Sequence, residues 1–274
     1  MNIVERMKHF NLPGLSFTYI KGGLTVSNTY GVLEAGTDKT VEDNSIFHAC
    51  SISKMVTAMC VVRLAQAGKV DLHKDLGGGI TLANLLAHQG GYCDESGGIK
   101  FPPETVCEYS DLGYSHVARV VEEATGETIP QIAQRLVFDP LGLKRTFFWD
   151  NLPEGVTLDE CAVGHDKHGK VVPEIRKVYP NAEGAGLWST PTELAKIAMS
   201  VEPLLYQPYG CEEWMGLAVF LGENVFVSQG WGVGMQCKLR VDTKNQECIV
   251  VMINQDPGVD QNESIVGEII KKYR

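Results

Sequence analysis

The chain has 274 residues, 44% hydrophobic and 21% charged, enough apolar material for a true core in one large or two closely packed domains; this argues against disorder, a repeat array or a disulfide-stapled miniprotein. Twenty-four Lys and Arg against 34 Asp and Glu give a net charge of −10, which repels nucleic-acid backbones and anionic membrane surfaces. The eight cysteines form no CxxC pair or zinc-type cluster and read as reduced, mostly buried thiols. The amino terminus lacks the apolar core of a signal peptide, and no apolar run approaches the roughly 18 residues of a membrane span. The expectation is a cytoplasmic protein with neither nucleic acid nor membrane as partner.

In chain order, β-formers between Gly14 and Tyr30 flank a Lys-Gly-Gly turn, the pattern of a hairpin. From Ser51 to Ala67, Met55, Ala58, Met59, Val62 and Ala65 recur at helical steps and Gly68 supplies the stop, which puts Ser51 at the amino end of a helix. Further helices are expected over 81–87, over 112–125 before Gly126, and over 129–137 before Pro140. A loop-rich span follows from Asp150 to Gly186. The Thr190-Pro-Thr-Glu193 box then opens a helix that runs to about Val201. Strand patterns occupy 215–221, 225–230, 235–241 and 248–254, with short connections that imply antiparallel neighbours. A last helix, 263–272, carries Ile265, Val266, Ile269 and Ile270 on one face. Strands at both ends with helices between them predict an α/β (α+β) fold. Its antiparallel sheet is built from residues 1–60 and 180–274, and a mostly helical domain is inserted over 61–179.

Chemistry concentrates at Phe47-His-Ala-Cys-Ser51-Ile-Ser-Lys54, an S-x-x-K at a helix start. A serine hydroxyl is too weakly acidic to attack an acyl carbon at neutral pH without a base in reach. A lysine three residues on lies one turn away on the same face, and the helix amino end adds partial positive charge. Tyr109-Ser110-Asp111, just ahead of another helix, offers a phenol that can point into a cleft. His88 reads as a hydrogen-bonded turn residue. Cys161, His165 and His168 read as a charged surface loop and not a metal site, because no fourth ligand is placed. His48 and Cys50 are expected to point in different directions and to serve packing. Trp231 and Tyr92 can each be a cleft wall or core, and both readings stand.

Taken together, S-x-x-K, the Tyr109 motif and a glycine-bearing strand at 228–231 resemble the serine β-lactamase and penicillin-binding superfamily. The likeness is to the class C β-lactamase-like serine hydrolases in particular, which carry S-x-x-K, Y-x-N and then a K-T-G or H-x-G strand. Leu12-Pro-Gly, Leu85-Leu-Ala-His-Gln-Gly-Gly, Pro140-Leu-Gly-Leu and Gly184-Ala-Gly-Leu-Trp-Ser-Thr agree with it. The resemblance implies Ser51 as acylated nucleophile and Lys54 with Tyr109 as the proton-handling pair; which of the two is the base stays open. It further implies an oxyanion hole from the backbone N–H groups of Ser51 and Trp231, and substrate contacts from Asp111, Ser228, Gln229 and Gly230. Two departures stand out: Ser228 replaces the cation of the third motif, and Asp111 replaces Asn. The expected activity is acyl-enzyme hydrolysis of an ester or amide in a small-molecule or peptide substrate, an esterase or peptidase with weak β-lactam turnover, without cofactor or metal. The alternatives are a true β-lactamase or D-Ala-D-Ala-type peptidase, and a catalytically silent binding protein of the same fold.

Overall fold

A computed structural model describes residues 1–149, 152–173 and 181–273. Its strands are β1 (Gly14–Lys21), β2 (Leu24–Gly31), β3 (Phe47–Cys50), β4 (Tyr92–Cys93), β5 (Gly98–Ile99), β6 (Phe147–Phe148), β7 (Leu187–Ser189), β8 (Phe220–Gly222), β9 (Val225–Gly232), β10 (Met235–Asp242) and β11 (Glu247–Ile253). Its helices are α1 (Ile3–Phe10), α2 (Ser53–Gln66), α3 (Leu82–Leu86), α4 (Asp111–Thr125), α5 (Ile129–Ala133), α6 (Ala182–Ala185), α7 (Pro191–Met199) and α8 (Ile265–Lys272). Among the described residues, no helix is long and apolar enough to cross a membrane.

Six strands form an antiparallel sheet in the order β2-β1-β11-β10-β9-β8. The expected assembly from both chain ends is therefore present at the sheet's centre, where β1 pairs with β11 and Leu15 stands opposite Ile253. The two-residue period of the strands sorts their side chains. Leu15, Phe17, Ile249, Val251 and Ile253 face α1 and α8, where they bury Met7, Ile265, Val266, Ile269 and Ile270. Cys248, Val250 and Met252 face the other way, into the larger core with α2 and α7. The first hairpin turns at Gly22 and Gly23, whose φ angles of +57° and +79° suit glycine and match the twist of the strands. A smaller sheet, β3-β7-β6, sits beside the larger one, and β3 is buried throughout. From β3 the chain enters α2, which is buried on nearly every side as the central helix.

Several expected boundaries moved. α2 begins at Ser53 with Ile52 at its cap, so Ser51 lies in the turn ahead of the helix and not within it. The helix expected over 129–137 changes pitch, with α5 passing into a π-helical turn at Gln134–Phe138. Of the strand expected over 215–221 only β8 forms. Ala218 adopts a left-handed φ of 68°, and Gly216 N–H turns back to the carbonyl of Val219 at 2.9 Å, so that Met215, Leu217 and Val219 are all buried as loop residues. An apolar run signals burial without specifying extended geometry. α1 had no expected counterpart; Asn2 caps it by accepting the N–H of Glu5 at 3.3 Å. Within the loop-rich span 150–186, positions 150–151 and 174–180 lie outside the described residues, and the remainder includes α6.

Phe17 joins the sheet to the carboxyl-terminal helix, with its ring 5.6 Å from that of Tyr273. Replacing it by alanine empties a fully buried site, and Phe17→Ala is expected to cost about 3–5 kcal/mol in urea unfolding. A loss under about 1 kcal/mol would mean that α8 does not depend on this contact.

Candidate active site

The strand-to-helix junction that carries Ser51 is tightly specified. Cys50 has a left-handed φ of 48°, and the β3–β7 register shifts between His48 and Cys50. The hydroxyl of Ser53 donates to the Cys50 carbonyl at 2.6 Å and accepts the N–H of Leu187 at 2.9 Å, which fastens the turn to β7. At the second position of α2, Lys54 is only 2% exposed. Its ammonium donates to Asp111 Oδ1 at 2.5 Å and to the carbonyl of Gly184 at 2.9 Å. It also lies 4.7 Å from the ring centre of Tyr109 and 5.4 Å from that of Tyr114. A surface lysine is thereby excluded. Gly184 fits this close approach, since a Cβ there would stand 3.3 Å from Asp111 Oδ1 and 3.4 Å from Lys54 Nζ.

Tyr109 and Asp111 are set by the start of α4. Ser110 caps the helix by accepting the N–H of Gly113 at 3.0 Å, and its hydroxyl donates to Asp94 at 2.7 Å. Asp94 also accepts the N–H groups of Asp111 and Leu112, at 2.8 and 2.9 Å. Burial pushes its carboxyl up, but these N–H bonds and the Ser110 hydroxyl outweigh burial and hold it below its ordinary value. His88, at φ 58°, accepts the N–H of Ser110 through Nδ1 at 3.2 Å, so the neutral ring carries its proton on Nε2. The expected turn histidine is thus present, and it does more than satisfy a turn: its ring stacks on Tyr109 with centres 4.5 Å apart. Burial, reinforced by the charge of Lys54, pushes His88 down to about 3. Tyr109 itself stays 47% exposed, with its ring in contact with both His88 and the Lys54 ammonium.

The third wall is β9. Its side chains alternate, with Ser228 and Gly230 turned inward and Gln229 and Trp231 outward. Gly230 packs against the strand that leads to Ser51: a Cβ there would stand 2.3 Å from the Ala49 carbonyl and 2.9 Å from Cys50 Cβ, so only glycine fits. The turn at Val233–Gly234 closes the pair Gly232–Met235. By the alternation of an antiparallel ladder, the N–H of Trp231 then points away from β10, and β8 reaches no further along β9 than Val227.

Ser51, Tyr109, Gln229 and Trp231 line one cleft of about 240 Å³. Phe220, Asp260 and Gln261 complete it and were not expected. Lys54 and Asp111 meet behind Tyr109, while Ser228 and Gly230 form the layer beneath β9. Gln261 braces that layer, donating to the carbonyls of Gly230 and Cys237 at 2.6 and 3.1 Å. A larger groove of about 910 Å³ lies between α2 and α4, and its lining includes no serine, cysteine or tyrosine among the described residues, so size does not mark the site. Trp231, 46% exposed, is a cleft wall; Tyr92 stacks on His116 at 4.4 Å and packs against the core.

Two expectations are corrected here. His48 and Cys50 do not diverge: residues two apart on a strand share a face, and Cys50 Sγ lies 3.4 Å from His48 Nδ1. His48 also bonds the carbonyl of Ala185 and stacks on Trp188, so the pair does serve packing. The 161–168 segment is not uniformly a surface loop, because His165 is fully buried; it donates through Nδ1 to the Asn254 carbonyl at 2.7 Å and accepts the N–H of Ala35 at 3.0 Å, while His168 is exposed.

Comparison with known proteins bears on the family and the fold. A family model described as Beta-lactamase matches residues 2–266. Penicillin-binding protein 4 of Amycolatopsis lactamdurans is 26% identical over 194 residues, 58% of this chain and 50% of that protein. Unguisins hydrolase ungD of Aspergillus violaceofuscus is 24% identical over 234 residues, 67% of this chain and 41% of that protein. The chain thus spans about half the length of these curated relatives. Among solved structures, a beta-lactamase/D-alanine carboxypeptidase from Pseudomonas syringae superposes with a TM-score of 0.81 at 16% identity, over 99% of this chain and 95% of that one.

The histidine beneath Tyr109 gives acid sensitivity a definite sign. His88 titrates near 3 when folded, against an ordinary 6.5, so the unfolded chain binds the proton more readily; the stabilisation is complete above about 6.5 and is lost as pH falls toward 3. His88→Asn, which tolerates the left-handed backbone and takes up no proton, is expected to be less stable at neutral pH but to lose less stability between pH 6.5 and 3. Urea midpoints across that window that fall in parallel for both proteins would refute a buried neutral His88.

Proposed function

As the chain belongs to the Beta-lactamase family, we propose that it is a serine hydrolase that cleaves esters or amides through an acyl-enzyme on Ser51. The observation that carries this reading is the buried Lys54 ammonium, three residues on from Ser51, held by Asp111 and against the ring of Tyr109, which shares a cleft with Ser51. Of its three N–H groups, one goes to Asp111 and one to the Gly184 carbonyl, which leaves one for the oxygen of Ser51 or Tyr109. Ser51 Oγ attacks the substrate carbonyl as its proton passes to a base in the Lys54–Tyr109 pair; while Lys54 is the ammonium paired with Asp111, the acceptor is the oxygen of Tyr109 in its deprotonated form. The oxyanion is held by the N–H groups of Ser51 and Trp231, a role that the outward direction of the Trp231 N–H supports. Collapse of the tetrahedral intermediate expels the leaving group, which takes the proton back, and water then releases the acid by the same route.

Under this reading the division into 1–60 with 180–274 and 61–179 puts Ser51 and Trp231 in one part and Tyr109 in the other, with the cleft where the parts meet. The eight free cysteine thiols support a reducing compartment such as the cytoplasm.

The departure at Ser228 bears on substrate choice. A charge-assisted hydrogen bond to a substrate carboxylate is worth about 1.5–3 kcal/mol, and Ser228 supplies no charge. Gln229 lines the cleft and can donate only a neutral bond.

Ser51→Ala is expected to lose about 100-fold to 1000-fold or more of the hydrolysis of an activated ester, and a fluorophosphonate probe is expected to add one adduct, mapped to Ser51, by intact mass. A label elsewhere, or an unchanged rate, would sink the mechanism. In a separate comparison, kcat/KM for a penicillin is expected to fall below that for a neutral butyryl ester, and Ser228→Lys to raise the penicillin value roughly tenfold. A wild-type preference for penicillin would show that another cation fills the role left by Ser228.

A further inference from the structure

The cleft that holds Ser51 has a polarity of its own. Among its described lining residues the one charged side chain is Asp260, and the remaining walls include the aromatic faces of Trp231 and Phe220. Asp260 is exposed yet fixed in place: its Oδ1 accepts the N–H of Asn262 at 2.8 Å, and its carbonyl accepts the N–H groups of Glu263 and Ser264 at the entry to α8. The next residue, Gln261, ties the same loop to β9 and β10 through the carbonyls of Gly230 and Cys237. A carboxylate is thus anchored beside two aromatic side chains at the mouth of the nucleophile's cleft. The Tyr109 ring already has His88 stacked on it and the Lys54 ammonium 4.7 Å from its centre, whereas Trp231 stands 46% exposed.

This combination has one well-matched ligand. A carboxylate attracts a cation, and aromatic faces attract it through their quadrupoles while also accepting its methylene or methyl groups. An anion would meet Asp260 with no opposing cation among the described lining residues, since the ammonium of Lys54 is already paired with Asp111. The net charge of −10 adds long-range attraction for a cationic substrate.

Resting on the serine-hydrolase reading, we propose that the cleft selects substrates bearing an ammonium group close to the scissile ester or amide, held by Asp260 with Trp231 and Phe220. Water is the co-reactant: the acyl–oxygen or acyl–nitrogen bond breaks, the acid is released, and the cationic group stays unchanged on its fragment.

The test uses two esters of the same shape, acetylcholine and 3,3-dimethylbutyl acetate, in which carbon replaces the charged nitrogen. Wild-type kcat/KM is expected to favour acetylcholine about tenfold, the ratio to fall toward one in Asp260→Asn, and Asp260→Glu to restore part of it. A ratio near one in the wild type, or one that Asp260→Asn leaves unchanged, overturns the assignment. Binding is read independently of turnover on Ser51→Ala, by calorimetry with choline against 3,3-dimethylbutan-1-ol. Tighter binding of choline that depends on Asp260 supports the site even if neither ester is hydrolysed, an outcome that would remove the hydrolase reading alone. Hydrolysis of both esters at equal rates, with equal binding of the two alcohols, removes the ammonium site and leaves the hydrolase reading standing.

Discussion

The buried ammonium of Lys54 organises the candidate site. Moving an ammonium from water into a protein interior costs several kcal/mol even after relaxation, unless a carboxylate and further acceptors surround it. Lys54 finds its carboxylate on α4 and its carbonyl on α6, so three stretches distant in sequence must converge on one nitrogen atom. Much of the local structure follows from that requirement. Gly184 is bare so that its carbonyl can approach. Asp94 and Ser110 fix the first turn of α4 and, with it, Asp111. His88 stays neutral beside the charge and supports the ring of Tyr109.

The second constraint is the seam between β9 and β3. Ser51 and Trp231 are far apart in the chain, yet they share a cleft because Gly230 lets β9 lie directly on the Ala49–Cys50 backbone. That seam is rigid only if β9 is held from behind, and β10, β11 and β1 do so as successive neighbours in the sheet. The pairing of the first long strand with the last therefore has a consequence at the site: the amino-terminal hairpin and α8 back the strand that shares a cleft with Ser51. The same loop that leads into α8 supplies Gln261 and Asp260, so closing the sheet and completing the cleft are one structural event.

Much of this was legible where a residue type has a single physical use. Gly22-Gly23 signals a hairpin turn, Gly126 a helix stop and Thr190-Pro a helix start, and each does so by local backbone chemistry. Ser51, Lys54 and Tyr109 were singled out by residue chemistry, and the fold brings Ser51 and Tyr109 to one cleft with Lys54 beside the Tyr109 ring. What the sequence hid was decided by tertiary packing. Met215–Val219 has the composition of a strand but fills the core as a loop around Ala218. His165 sits among charged neighbours and is drawn inward to bridge Ala35 and Asn254, which are brought near it only by the fold. Phe220 and Asp260 carry no motif at all, and they reach the cleft because β8 and the loop before α8 happen to flank β9; no local signal could have marked them.

The charges around the cleft are best understood as one coupled arrangement. In the third-motif strand that the sequence resembles, a cation stands where Ser228 stands here. An asparagine in place of Asp111 would leave the ammonium of Lys54 uncompensated and its field directed toward the substrate. With a carboxylate at that position the ion pair closes on itself, and its field outside the protein falls off as that of a dipole. The two departures therefore act in the same direction: one removes a cation from the cleft and the other masks the cation that remains. Against that background Asp260, the one charged side chain among the described residues that line the cleft, gives the cleft a negative charge of its own. Under the proposed mechanism the masking also ties selectivity to the chemistry, because the carboxylate that pairs with Lys54 holds in place a member of the proposed proton-handling pair. A substitution at Asp111 would disturb the Lys54 pair and the charge beside the cleft at once, whereas one at Asp260 changes the cleft lining and leaves that pair intact, so under the proposed reading substrate polarity and the acylation machinery are separable.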